Sequence, residues 1–295
     1  MRSNVPSSTA RLIALCTIYL DFENSPLVFS NHIDLQKLCV NTFSKRKNLL
    51  LFLLKFHFIR KCVSILEALL APNLILHYAI RKKILNEIAV SLIAKERIGN
   101  LVVVGSGFDT FSLRARGKFN HLNIWEIDHP ATQKIKRQCL EKIGQQNQDF
   151  NFFPADFLKD RWFPDDIDFS LPTLIFAEGF FMYLTRTKVK EFFQQLVSHF
   201  KAVFVLFTFI EVNESEKPIF YNEGFAVNSY LRWKREPFLW GIHEEELGRF
   251  LESLGFDLIE IQSTEDLLKA HSKTKNNQLI REKIALAKVR TNPAV

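Results

Sequence analysis

The sequence predicts an α/β fold with a mostly parallel sheet covered by helices on both faces. Three observations carry that reading. Leu101 to Val104 is an unbroken apolar run with three β-branched residues, the pattern of a strand buried on both sides. It stops at Gly105-Ser106-Gly107, where the backbone can turn tightly and let a ligand approach. Asp128 follows 23 residues after Gly105, closing the short segment Asn123 to Ile127. A glycine turn after one strand and an acid at the tip of the next is how open α/β sheets hold an adenosine ribose.

Residues 1–95 lack strand alternation, and Ile84, Leu85, Ile88 and Leu92 keep a period near 3.6. Pro72-Asn73 breaks the preceding apolar run. We therefore expect several helices forming an N-terminal cap over residues 1–95, and a nucleotide-binding core over 96–295. No Gly/Ser-rich linker separates the two. After the glycine turn, Thr110 to Arg116 reads as a helix. Pro130 stands where proline suits a first helical turn, with the helix continuing over Ala131 to Ile143. Phe150 to Pro154 is a third strand and Thr173 to Ala177 a fourth. Val189, Phe192, Phe193, Leu196, Val197 and Phe200 form a helical stripe, and Ala202 to Phe209 a fifth strand. An irregular insertion at about 211–242 reads as a lid or substrate loop. His243 to Leu254 resumes a helix, with three glutamates in its first turn and Gly255 as its stop. Phe256 to Ile261 and Lys283 to Val289 complete seven strands.

With 295 residues and 47% apolar content, the chain can bury a full core. Its 29 phenylalanines read as core packing. The net charge of +7 is modest, and its runs at Lys45–Lys47, Arg60-Lys61, Arg81–Lys83 and Lys134–Arg137 lie beside apolar stripes. They read as solvated faces, so no nucleic-acid partner is expected. Cys16, Cys39, Cys62 and Cys139 show no metal-ligand spacing and read as reduced core residues; no metal is expected. Leu12 to Leu20 is short for a secretory leader and has no small-residue cleavage site after it. Leu49 to Leu54 is interrupted by Lys55, His57, Arg60 and Lys61 well before the roughly 20 residues a membrane span needs. A cytoplasmic protein without stable membrane insertion is the expectation.

Ligands of such sheets bind outside the carboxyl ends of the strands. That rule selects Gly105-Ser106-Gly107, Asp128, Asp156 with Phe157, and Glu178. One acid at a strand tip is commonplace; four tips around one crevice are harder to dismiss.

GSGFDT, EIDHPATQKIKR, PADF and IFAEGFFMYL, in this order, resemble the S-adenosylmethionine (SAM)-dependent leucine carboxyl methyltransferase family, including its bacterial small-molecule O-methyltransferase branch. The likeness runs from about Tyr78 to Phe209. It implies a Rossmann-like class I SAM methyltransferase fold, a seven-stranded sheet with strand seven antiparallel, and SAM as cofactor. It also implies that Gly105 is the cofactor glycine, Asp128 the ribose acid, Asp156-Phe157 the adenine-side pair and Glu178 the acid after strand four. Arg81, 24 residues before Gly105, resembles the arginine that grips the cofactor's carboxylate.

The expected activity is methyl transfer to a carboxylate or hydroxyl of a small molecule. Tyr183, Arg232 and His243 are candidate substrate contacts, although core packing, surface charge and helix capping explain them as readily. No compelling His–Asp pair stands out, which favours a carboxylate acceptor because it needs no base. Three other readings stay open. One is a protein C-terminal carboxyl methyltransferase. An NAD(P)-dependent dehydrogenase is disfavoured by Thr110 at the last fingerprint position. A non-catalytic protein could bind a partner or an anionic membrane through its basic cap. The sequence does not fix the acceptor or the oligomeric state.

Overall fold

The computed structural model describes residues 5–43, 49–145, 150–157, 162–220, 236–265, 268 and 280–290. Five helices come first: α1 (Ser8–Phe22), α2 (Ile33–Phe43), α3 (Leu49–Leu53), α4 (His57–Leu70) and α5 (Leu74–Lys95). Strand and helix then alternate through β1 (Asn100–Val104), α6 (Phe111–Lys118), β2 (Asn123–Asp128), α7 (Pro130–Lys142), β3 (Phe150–Pro154), β4 (Thr173–Ala177), α8 (Arg186–His199) and β5 (Val203–Ile210). The chain closes with α9 (Glu244–Glu252), β6 (Phe256–Ser263) and β7 (Glu282–Val289).

The seven strands form one sheet in the order β3-β2-β1-β4-β5-β7-β6. β7 runs antiparallel to both neighbours, and the other pairings are parallel. Strand order reverses beside β1, between β2 and β4, so this edge of the sheet carries the ligand crevice.

The apolar run of β1 serves both faces, as its unbroken hydrophobicity requires. Leu101 and Val103 pack into a cluster with Leu174, Phe176 and residues of α1, α2 and α5, including Ala14, Val40 and Ile80. Val102 and Val104 face the other way, into a cluster with Phe181, Phe192, Phe193, Phe207 and Phe256. Much of the phenylalanine content sits there in edge-to-face contacts, such as Phe193 on Phe256 at 5.1 Å.

Two expectations need correction. Arg81 and Lys136, in basic runs expected to be solvated, are buried, and Lys82 is half-buried. Lys136 is 1% exposed and is matched by Glu126 at 2.8 Å, because an ammonium can enter a core only with a counter-charge. Of the cysteines, Cys16, Cys39 and Cys139 are buried, but Cys62 is exposed on α4.

Candidate functional site

The strand tips meet. Arg81, Gly105, Ser106, Gly107, Asp128, Asp156, Phe157, Glu178 and Tyr183 all line one pocket at the reversal point of the sheet. At its floor the β1–β2 ladder runs one bond further, from the Gly105 amide to the Ile127 carbonyl at 2.8 Å. The chain then turns with Gly105 at φ +67° and Gly107 at φ +50°. A Cβ on Gly105 would come within 2.9 Å of Phe180, so glycine is needed for space as well as for the left-handed backbone.

The Gly107 amide donates to one oxygen of Asp128 and the His129 amide to the other. Each oxygen keeps a further lone pair for a ligand hydroxyl. Burial pushes the Asp128 carboxyl up to about 6, against the pull of those two amides and Lys136. His129 caps α7, its Nδ1 accepting from the Ala131 amide, and Pro130 opens the helix. Phe157 sets its ring edge-to-face on Phe180 at 4.5 Å, walling the side that Asp156 borders.

Behind the pocket lies an ion network that the sequence did not disclose. The Arg81 Nε and Nη2 donate to Glu178 at 3.1 and 2.6 Å, and its Nη1 donates to both oxygens of Glu282 at 2.7 Å. Burial opposes the Arg81 charge, but Glu282 and Glu178 outweigh it and hold the guanidinium cationic. Lys82 bridges Asp109 and Glu178. At the far end His77 meets Glu282 at 2.8 Å and Thr264 at 3.0 Å, and burial lowers its affinity for a proton. This buried His–acid pair was not anticipated; it supports Arg81 from outside the pocket lining. Burial alone would raise Glu282, yet Arg81 and His77 hold it at about 2.

The roof is α1. Ser7, Thr9, Ala10, Ile13 and Ala14 line the pocket, and Ala10 stands 3.1 Å from where a Gly107 Cβ would sit. The buried carboxylate of Glu236 accepts from the Ser8 amide at 2.9 Å, the Thr9 amide at 3.1 Å and the Thr9 hydroxyl at 2.6 Å. An acid at a helix N-terminus satisfies unpaired amides and complements the dipole. Tyr183 also lines the pocket, and burial pushes its phenol well up.

Of the other two candidate substrate contacts, one is described and is not brought in. His243 precedes α9 without a side-chain capping bond and lies 3.8 Å from Glu216, outside the pocket lining. Arg232 lies outside the described residues, as does much of the 211–242 insertion. Among the described residues no cluster of His, Cys, Asp and Glu is arranged to hold a metal.

The lining suits SAM. Four carboxylates (Asp109, Asp128, Asp156, Glu178) against two cations (Arg81, Lys82) favour a ligand of net positive charge, which a sulfonium with an ammonium and one carboxylate provides. Ser106 Oγ and Gln36 Oε1 also line it and have no partner among the described residues.

Comparison with known proteins agrees. Residues 54–197 match the family model described as leucine carboxyl methyltransferase, a stretch that holds Arg81 and every strand tip through Glu178. Bacillus subtilis (strain 168) YktD, assigned by name to the S-adenosyl-L-methionine-dependent methyltransferases, is 26% identical over 218 residues, covering 68% of this chain and 69% of YktD. Two solved structures share the fold. A DUF574 family protein from Streptomyces avermitilis MA-4680 has a TM-score of 0.58 at 16% identity, over 79% of this chain and 91% of that one. A protein from Thermobifida fusca YX assigned to the methyltransferases has a TM-score of 0.57 at 15% identity, over 98% and 97%. The chain is thus similar to the leucine carboxyl methyltransferase family over residues 54–197, and it is a SAM-dependent methyltransferase.

Proposed function

We propose that the enzyme methylates an oxygen of a small molecule, with a carboxylate as the preferred acceptor, and that it works in the cytoplasm. The observation that carries this reading is the pocket itself, in which every acidic group whose partners are described is already engaged. Asp109 is held by Lys82, Glu178 by Arg81 and Lys82, and Asp128 by two amides. Tyr183 keeps its proton because burial pushes the phenol up, so it does not serve as a base. An acceptor that arrives already ionised needs no proton removed, and a carboxylate does so at neutral pH.

In this reading Asp128 holds the ribose hydroxyls, Asp156 and Phe157 the adenine, and Arg81 and Glu178 the amino-acid end of the cofactor. Bound there, SAM supplies an electrophilic methyl carbon attached to sulfur. The protein's share is positioning, which is worth on the order of 7–11 kcal/mol in well-oriented systems. The helical segment 1–95 acts as the cap: α1, latched by Glu236, roofs the pocket, excludes water and limits the acceptor's size, which supports a small molecule over a protein terminus.

The test is transfer of a labelled methyl group from SAM to a panel of carboxylic acids and phenols. Carboxyl methyl esters release volatile methanol in mild alkali and phenyl ethers do not. Alkali-labile product from the acids supports the reading, and alkali-stable product confined to phenols contradicts the carboxylate preference.

A further inference from the structure

An ordinary surface helix turns its apolar stripe inward. Helix α4 does the reverse. Among the described helices it alone buries no residue. Its inward side is mixed: Val63 packs on the core, while Arg60 pairs with Glu23 and donates to the Leu54 and Lys55 carbonyls, and Glu67 accepts from the Ile75 amide at 3.3 Å. Its outward side carries Phe58, Cys62, Ile65, Leu66, Leu69 and Leu70 at spacings of three and four. Phe58 is 73% exposed and Leu69 76%. Leu49, Phe52 and Phe56 extend the patch along α3 and the turn after it, the two rings packed edge-to-face at 5.3 Å. Exposed apolar side chains gathered on one helix face mark an interaction site.

Charge identifies the occupant. From Leu35 to Leu66 the sequence holds no carboxylate; of its cations Lys37 pairs with Asp21 and Arg60 with Glu23, which leaves Lys55 and Lys61 among the described residues, besides the sequence run Lys45-Arg46-Lys47. Lys55 and Lys61 stand exposed among the apolar side chains, as snorkelling cations do at a lipid headgroup layer. A second copy of the chain would oppose two such acid-free stretches, which disfavours a two-fold contact. A span is also excluded: no single described helix is long and apolar enough, and α4 meets α5 at a 90° bend. The α5 helix cannot join it in a bilayer, because it is packed into the core and carries Arg81.

We propose that α3 and α4 form an interfacial docking surface for an anionic lipid bilayer, with α4 lying in the headgroup plane. The experiment is co-sedimentation of the full chain with phosphatidylcholine vesicles, with and without about 30 mol% phosphatidylglycerol. Binding is expected only to the anionic vesicles, and at least tenfold weaker at about 0.5 M salt, where the Debye length is short. The variant Ile65→Ser/Leu69→Ser changes only exposed side chains. It should lose at least tenfold in vesicle binding and keep the wild-type affinity for S-adenosylhomocysteine (SAH), which shows that it is folded. Wild-type protein that ignores anionic vesicles overturns the proposal, as does vesicle binding that the double variant leaves unchanged. Light scattering that shows a wild-type dimer, made monomeric by the double variant, with no vesicle binding, assigns the face to a second copy and overturns it too.

Discussion

Arg81 and Glu282, 201 positions apart, form a doubly hydrogen-bonded buried ion pair that ties α5 to the first residue of β7. Removing one partner of such a pair leaves an uncompensated charge, costing about 3–5 kcal/mol. Glu282→Gln is therefore expected to lower the unfolding free energy by about 3 kcal/mol in urea titrations at neutral pH. SAM affinity should fall with it, as Arg81 loses the anchor that aims it.

The same pair sets an acid dependence. Because Glu282 is held at about 2, below its ordinary 4.5, its contribution is present above 4.5 and disappears as pH falls towards 2. Urea titrations at decreasing pH should show the gap between wild type and Glu282→Gln narrowing across that window. A gap that stays constant would mean Glu282 is not ionised against Arg81.

Asp128 runs the opposite way. Its carboxyl is pushed up to about 6, so the ligand-free fold holds this group's contribution at low pH and loses it as pH rises through about 6. In the proposed role of ribose acid it accepts hydrogen bonds from hydroxyls in its charged form. SAH affinity measured by calorimetry should drop as pH falls through about 6, approaching tenfold per unit below it, and Asp128→Asn should flatten the profile.

Glu236 latches the roof. Glu236→Ala should cost about 1–3 kcal/mol by leaving the α1 amides unpaired. Hydrogen exchange in the first turn of α1 should speed up while β1 and β4 stay protected. Methyl transfer should fall because α1 lines the pocket.

Gly105→Ala should fold poorly or bind weakly. The left-handed backbone costs an alanine roughly 1–2 kcal/mol, and its methyl group must displace Phe180. Thermal denaturation with and without SAH checks both effects.

The sheet was legible because local chemistry dictates it. A β-branched run buried on both sides, glycines at positive φ and Pro130 at a first helical turn each leave a mark within a few residues. The strand-tip acids were legible because the fold places every parallel strand's end on one edge. The ion network was not, since Glu282 meets Arg81 only through strand β7, and a Lys or Arg in a basic run looks the same whether it faces water or a buried carboxylate. The orientation of α4 was equally hidden: its period shows an amphipathic helix but not which face the core takes. The latch at Glu236 joins positions more than 220 residues apart, beyond any local pattern.

The central claim is that the pocket at the tips of β1, β2 and β4 holds SAM. Calorimetric titration of SAM into the wild-type chain, Asp128→Ala and the surface control Asp257→Ala tests it most directly. Micromolar one-to-one binding to the wild type and the control is expected, with affinity at least about tenfold weaker for Asp128→Ala. Equal affinity in all three proteins, or no heat with any of them, would contradict it.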